Sequence, residues 1–244
     1  AATGLLVPFL KDADQALVGH ALAALGRSGG KEATKAIQAA TVPQALAVNQ
    51  AQALLDCAKS ADPATAEALL AGLTASKNAL RIRLGAYGLL CQIRGDRGVD
   101  VVLSLLAMQD AALRALGGQL VPGLPGGTAT TAKLCGSIQT LPAEGKAVLV
   151  PALAARGDRS AAASLQQLLA AAGPQRAAAI RAVGLLGNAA SVTALLPLAT
   201  AKGREAGLAQ GALARLPDPA ADTALIALLK GNADVPAKQV AVSA

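Results

Sequence analysis

The chain has 244 residues and a net charge of +7, with 53% apolar, 15% charged and 1% aromatic residues, and about a quarter of it is Ala. Low charge density with ample apolar surface excludes a disordered chain, and 3 Cys over this length exclude a disulfide scaffold. An Ala- and Leu-rich composition nearly without aromatics excludes a β-sandwich, which leaves a helical protein with thin cores.

The helical pattern predicts sixteen segments in chain order: 3–11 and 14–27, 31–41 and 44–60, 63–74 and 77–94, 99–109 and 110–121, then 129–141 and 143–156, 160–172 and 174–186, 190–201 and 203–216, 220–230 and 234–244. They pair because one break recurs, at Gly29, Ala61, Gly95, Pro125, Gly157, Gly187 and Pro217, spaced 30 to 34 residues apart. Four residues before each break stand Leu25, Cys57, Cys91, Val121, Leu153, Val183 and Leu213, all apolar. Eight after stand Ile37, Leu69, Leu103, Lys133, Leu165, Leu195 and Leu225, with Leu134 following the one exception. Three before, the residues are mostly small, as close helix approach requires: Gly26, Ala58, Ala154, Gly184 and Ala214, with Gln92 and Pro122 departing. Asp62-Pro63 reads as a cap and first helical position, Thr128 and Ser160 as further caps, and Gly29, Gly95, Gly157 and Gly187 as left-handed stops.

No unit of this size can bury its apolar face alone, so neighbours must stack. The expected fold is all-α: a right-handed α-solenoid of about eight two-helix units forming a single domain over 1–244. The chain starts without Met and ends inside a helical pattern, so it reads as a fragment of a longer protein. No window reads as a membrane span and no leader peptide is visible, so a soluble protein is expected.

Ala-Val-Gly-Leu-Leu-Gly-Asn-Ala at 182–189, followed by Leu-Leu-Pro-Leu at 195–198, resembles the short bacterial HEAT-like repeats of the phycobilisome-lyase type. The resemblance spans essentially the whole chain. It implies an architecture and no particular activity.

Reactive groups are sparse. His20 is the one histidine and lies within a second helix, which leaves no histidine metal cluster and little scope for a Ser-His-Asp relay. The iron-binding hydroxylases built from such repeats use His-Glu pairs, and this chain has none. Cys57 and Cys91 hold equivalent positions in adjacent units, roughly 8–10 Å apart at helix-packing distance, too far for a disulfide; they read as buried hydrophobes. The Gly- and Pro-rich stretch 117–127 reads as a loop between units, or as a hinge or ligand loop. Gly126 to Lys133 departs from a phosphate-binding loop, with Ala132 and Leu134 where that motif needs Gly and Ser or Thr. The expectation is therefore a non-enzyme with no cofactor and no metal.

The basic excess is uneven. Lys77, Arg81, Arg83, Arg94 and Arg97 crowd one stretch, and Arg114, Lys146 and Arg176 each stand eleven residues before a break, with Arg83 and Arg204 near that register. By the resemblance, second helices line the concave face, which makes Arg81, Arg83, Arg114, Lys146, Arg176 and Arg204 the candidate binding residues. The ladder has two open readings: a structural or solvated row, or contacts to an anionic ligand. The expected function is a non-catalytic protein-interaction scaffold with an acidic protein partner. The alternative is a solenoid binding nucleic-acid backbones, although without Trp, and with only Tyr87 and Phe9, base stacking is largely unavailable. A third reading, by resemblance, is a chromophore-attachment factor of the lyase type.

Overall fold

Acidic and amide caps punctuate the chain. Asp14 accepts from Ala16 N at 2.8 Å, Asp62 from Thr65 N at 3.0 Å with Pro63 at the first helical position, and Asp110, Asn188, Asp218 and Asp234 each accept from an N–H in the first turn that follows them. In the computed structural model, which describes residues 2–170, 173–231 and 234–244, the resulting helices are α1 Ala2–Leu6, α2 Gln15–Ser28, α3 Gly30–Ala39, α4 Ala47–Ser60, α5 Pro63–Leu73, α6 Leu80–Ile93, α7 Gly98–Leu106 and α8 Ala111–Leu120. They continue as α9 Gly127–Gly136, α10 Ala143–Arg156, α11 Ala162–Gln167, α12 Pro174–Leu186, α13 Ala189–Thr200, α14 Arg204–Leu213, α15 Pro219–Lys230 and α16 Val235–Ser243. No strand occurs among the described residues. Among the described residues the chain is all-α, in successive helices broken near the expected positions.

Local differences have local causes. The first expected helix splits into α1 and a 3₁₀ turn, Val7–Lys11, because Pro8 lacks an N–H. α11 stops at Gln167, and the expected continuation to 172 reaches residues outside those described. Thr128 and Ser160 lie inside the turns they were expected to cap; Gly126 and Asp158 take those places. Gly187 ends α12 with φ −69°, not left-handed. Its need for glycine is spatial, since a Cβ there would lie 2.5 Å from the Val183 carbonyl oxygen.

Contacts sort the chain into two compact units, residues 1–101 and 102–244. In the first, α2 packs on α4 and α4 on α6, while α3 and α5 pack against α4 and α5 against α6. In the second, α8, α10, α12 and α14 form one layer in succession, and α9, α11, α13 and α15 another, joined where α11 packs on α12 and α13 on α14. The residues four before each break are the shared knobs. Leu25, Cys57, Val121, Leu153 and Val183 are fully buried, and Cys91 and Leu213 nearly so. Small residues set the spacing: a Cβ on Gly26 would lie 2.8 Å from Ala53 Cα, and one on Gly184 2.8 Å from Ala212 Cα.

Candidate functional site

The register eleven residues before each break does not face outward. Gln50 occupies it in α4, and its amide donates to the carbonyls of Ile37 and Ala40 at 2.7 and 2.8 Å. Arg114 occupies it in α8 and donates to Met108 O and Gln109 O at 2.8 and 2.6 Å. Both satisfy orphan carbonyls where the preceding first helix ends. Arg176 occupies it in α12, is half-buried, and pairs with Glu205 of α14. Lys146 occupies it in α10 and is half-buried. Arg83 is half-buried as well, while Arg81 and Arg204 are exposed in the first turns of α6 and α14.

The solvent-facing ridge of the second helices runs two and six residues before each break, about 140° round the helix from the ladder where five residues separate them. In the second unit it carries Pro151 and Ala155 on α10, Arg181 and Leu185 on α12, and Gly211 and Arg215 at the end of α14. Arg181 and Arg215 are therefore the outward cations that sequence reasoning missed. Their signal was available: each occupies the register opposite the buried knob. Among the described residues neither has an ion-pair or hydrogen-bond partner.

Other arginines are structural. Arg94 donates from Nε to Glu67 Oε1 at 2.8 Å, tying the end of α6 to α5. Arg156 donates from Nε to Thr131 Oγ1 at 2.9 Å, from Nη1 to Val121 O and Leu124 O at 2.9 and 2.8 Å, and from Nη2 to Gly127 O at 3.2 Å. The Gly- and Pro-rich loop is thus stitched to α10. Thr131 passes the network on, donating to Asp158 Oδ2 at 2.6 Å, while Asp158 Oδ1 accepts from Ser160 N at 3.0 Å. Those hydrogen bonds, with the nearby Arg156 charge, hold the Asp158 carboxyl below its ordinary range.

Recesses flank these elements. In the first unit a groove of about 540 Å³ lies among α3, α4 and α5, with Leu54, Leu69 and Leu73 on its floor and Gln38, Gln44 and Lys77 on its rim. In the second unit one of about 430 Å³ lies between α9 and α11 and includes Cys135, Ser164 and Gln167. A third, of about 170 Å³, lies between α12 and α14, with Arg181 and Arg215 on its walls. All three cysteines are free and buried, and burial pushes each thiol up. Cys57 and Cys91 are core residues, as their register predicts. Among the described residues no three of His, Cys, Asp and Glu gather in metal-binding geometry, and no helix is long and apolar enough to cross a membrane.

No family model and no curated protein sequence matches the chain. Among solved structures the chain is similar to the complex of CpcE and CpcF of phycocyanin lyase from Nostoc sp. PCC7120, at 18% identity and TM-score 0.39, over 99% of this chain and 92% of that one. It is also similar to human deoxyhypusine hydroxylase in complex with glycerol, at 18% identity and TM-score 0.37, over 99% and 94%. These proteins are a lyase and a hydroxylase, which conflicts with the expectation that the chain is not an enzyme, and that expectation is corrected. A scarcity of reactive residue types does not decide the matter. Catalysis needs only a few side chains at one spot, and one helical-repeat fold carries many activities.

Proposed function

We propose that the chain, acting as one repeat array over 1–244, is a protein-interaction module whose second-helix face holds an acidic segment of a partner. One observation carries the reading. The ridge of that face in the second unit carries Pro151, Ala155, Leu185 and Gly211 together with exposed Arg181 and Arg215, which no acidic side chain of the chain neutralises among the described residues, whereas the half-buried Arg94 and Arg176 are paired. A low, positively charged ridge favours an anionic partner that can approach closely. Of the residues expected from sequence, Arg81 and Arg204 belong to this proposal as contacts, while Lys146, half-buried in the inward register, does not. Arg83, Arg114 and Arg176 belong to it as residues that hold helices carrying the face.

The nucleic-acid reading keeps support from the exposed Lys77, Arg81 and Arg97 of the first unit. Surface plasmon resonance of the immobilised chain against poly-L-glutamate and against duplex DNA, each over a salt series, separates the two. Saturable poly-glutamate binding that weakens with salt, with weaker DNA binding, supports the acidic-partner reading. Tighter DNA retention with a steep salt slope transfers support to nucleic acid. Binding of neither at low salt overturns both.

A further inference from the structure

The groove between α12 and α14 sets two arginines beside a floor of glycines, Ala212 and Leu208. Gly184, Gly207 and Gly211 line it, with Arg181 rising on one side and Arg215 on the other.

The glycines are of two kinds. Gly184 is required by packing, because a Cβ there would collide with Ala212. Gly207 and Gly211 are not: a Cβ on either would meet nothing within 4 Å. They stand one turn apart inside α14 on one face. A helix is more stable with Ala than with Gly at interior positions, and this chain uses Ala freely. Nothing inside the fold needs these two backbones bare. A ligand lying directly on the helix would.

The walls supply its chemistry. Arg181 and Arg215 are exposed and, among the described residues, unpaired, so their guanidinium forks are available for bidentate contact with a carboxylate. Leu185, four residues after Arg181 on the same face, is about half exposed, at 53%, and offers an apolar contact beside the charge. The recess is small, about 170 Å³, so only a thin segment can reach its floor. A duplex would ride on the walls and leave the floor unused.

We infer that the α12–α14 groove is the seat of an extended acidic peptide segment of a partner protein, its backbone laid on Gly207 and Gly211 and its carboxylates gripped by Arg181 and Arg215. The inference rests on the acidic-partner reading above and locates it.

The test is fluorescence anisotropy with the full chain and a short labelled peptide of repeating Glu-Leu-Gly triplets, with a Gln-for-Glu peptide as control. The wild type is expected to bind the acidic peptide at least about tenfold more tightly than the control. Arg181→Glu with Arg215→Glu lowers affinity at least about tenfold. Gly207→Ala with Gly211→Ala lowers it by a similar factor while raising the thermal midpoint, a combination that a structural role for the glycines would not produce. Unchanged affinity in either double variant, or loss of affinity with a lowered midpoint in the glycine variant, overturns the groove and leaves the broader reading standing. No binding of the acidic peptide by the wild type overturns both. A duplex DNA that displaces the peptide at lower concentration than unlabelled peptide does overturns the peptide as occupant.

Discussion

Gly184→Ala isolates the contact that sets the distance between α12 and α14. The new Cβ would lie 2.8 Å from Ala212 Cα and 2.9 Å from Ala212 Cβ, where carbon atoms pack best at about 3.5–4.0 Å. The helices must therefore part by several tenths of an ångström along a seam that buries Ile180, Val183 and Leu213. Overpacking of this kind costs about 1–3 kcal/mol. Against it stands the gain from replacing an interior helical glycine, about 0.5–1 kcal/mol. Gly207→Ala supplies the control, since it collects the same gain with open space around it. In the difference between the two variants the propensity gain cancels, and Gly184→Ala is expected to be less stable than Gly207→Ala by about 1–3 kcal/mol. Urea unfolding followed by circular dichroism measures this, with similar slopes required so that midpoints report stability. Equal midpoints for the two alanine variants would refute the packing geometry on which the register rests.

Other consequences are equally direct. Arg156→Ala takes the guanidinium donor from the Leu124 carbonyl and breaks its bonds to Val121 O and Thr131 Oγ1, and is expected to cost about 1–3 kcal/mol; hydrogen exchange should quicken across 121–131 in the variant and not in α2–α5. Asp158 contributes pH-dependent stability with a definite sign. Its folded carboxyl is held below the ordinary range, so the contribution is complete above the unfolded value and disappears as pH falls through the folded one. Asp158→Asn should flatten the acid limb of the thermal midpoint against pH and change its slope near neutrality little. The buried, raised thiols of Cys57, Cys91 and Cys135 should react with Ellman's reagent at neutral pH far more slowly in the native protein than in urea, and prompt native labelling of all three would contradict their burial.

The repeat was legible because it rests on local chemistry. Breaks at Gly29, Gly157 and Pro217, the cap at Asp62, and knobs such as Leu153 can each be read within one turn of helix, and the structure puts them in the expected places. The candidate site was legible only in part. Arg114, Lys146 and Arg176 do align, but alignment in sequence does not say which way the shared face turns. That depends on the knob register, which points the ladder toward the first helices and the opposite register toward solvent. Partners that reverse a cation's meaning lie far along the chain. Glu205 meets Arg176 from the next unit, and Arg156 reaches back 35 residues to Val121. The phase of Arg181 and Arg215 was recoverable from the register of Val183 and Leu213; the partners of Arg156 and Arg176 were not, because stacking alone brings them together.

The central claim is that the outward ridge of the second helices in residues 102–244 receives an acidic chain. Amide and arginine side-chain NMR signals, followed while the Glu-Leu-Gly peptide is titrated into isotopically labelled protein, test it most directly. The account predicts shifts concentrated at Arg181, Leu185, Gly207, Gly211 and Arg215, with Arg114 and Arg156 unmoved. Shifts confined to Lys77–Arg97, or spread over the first helices α9, α11 and α13, would contradict it.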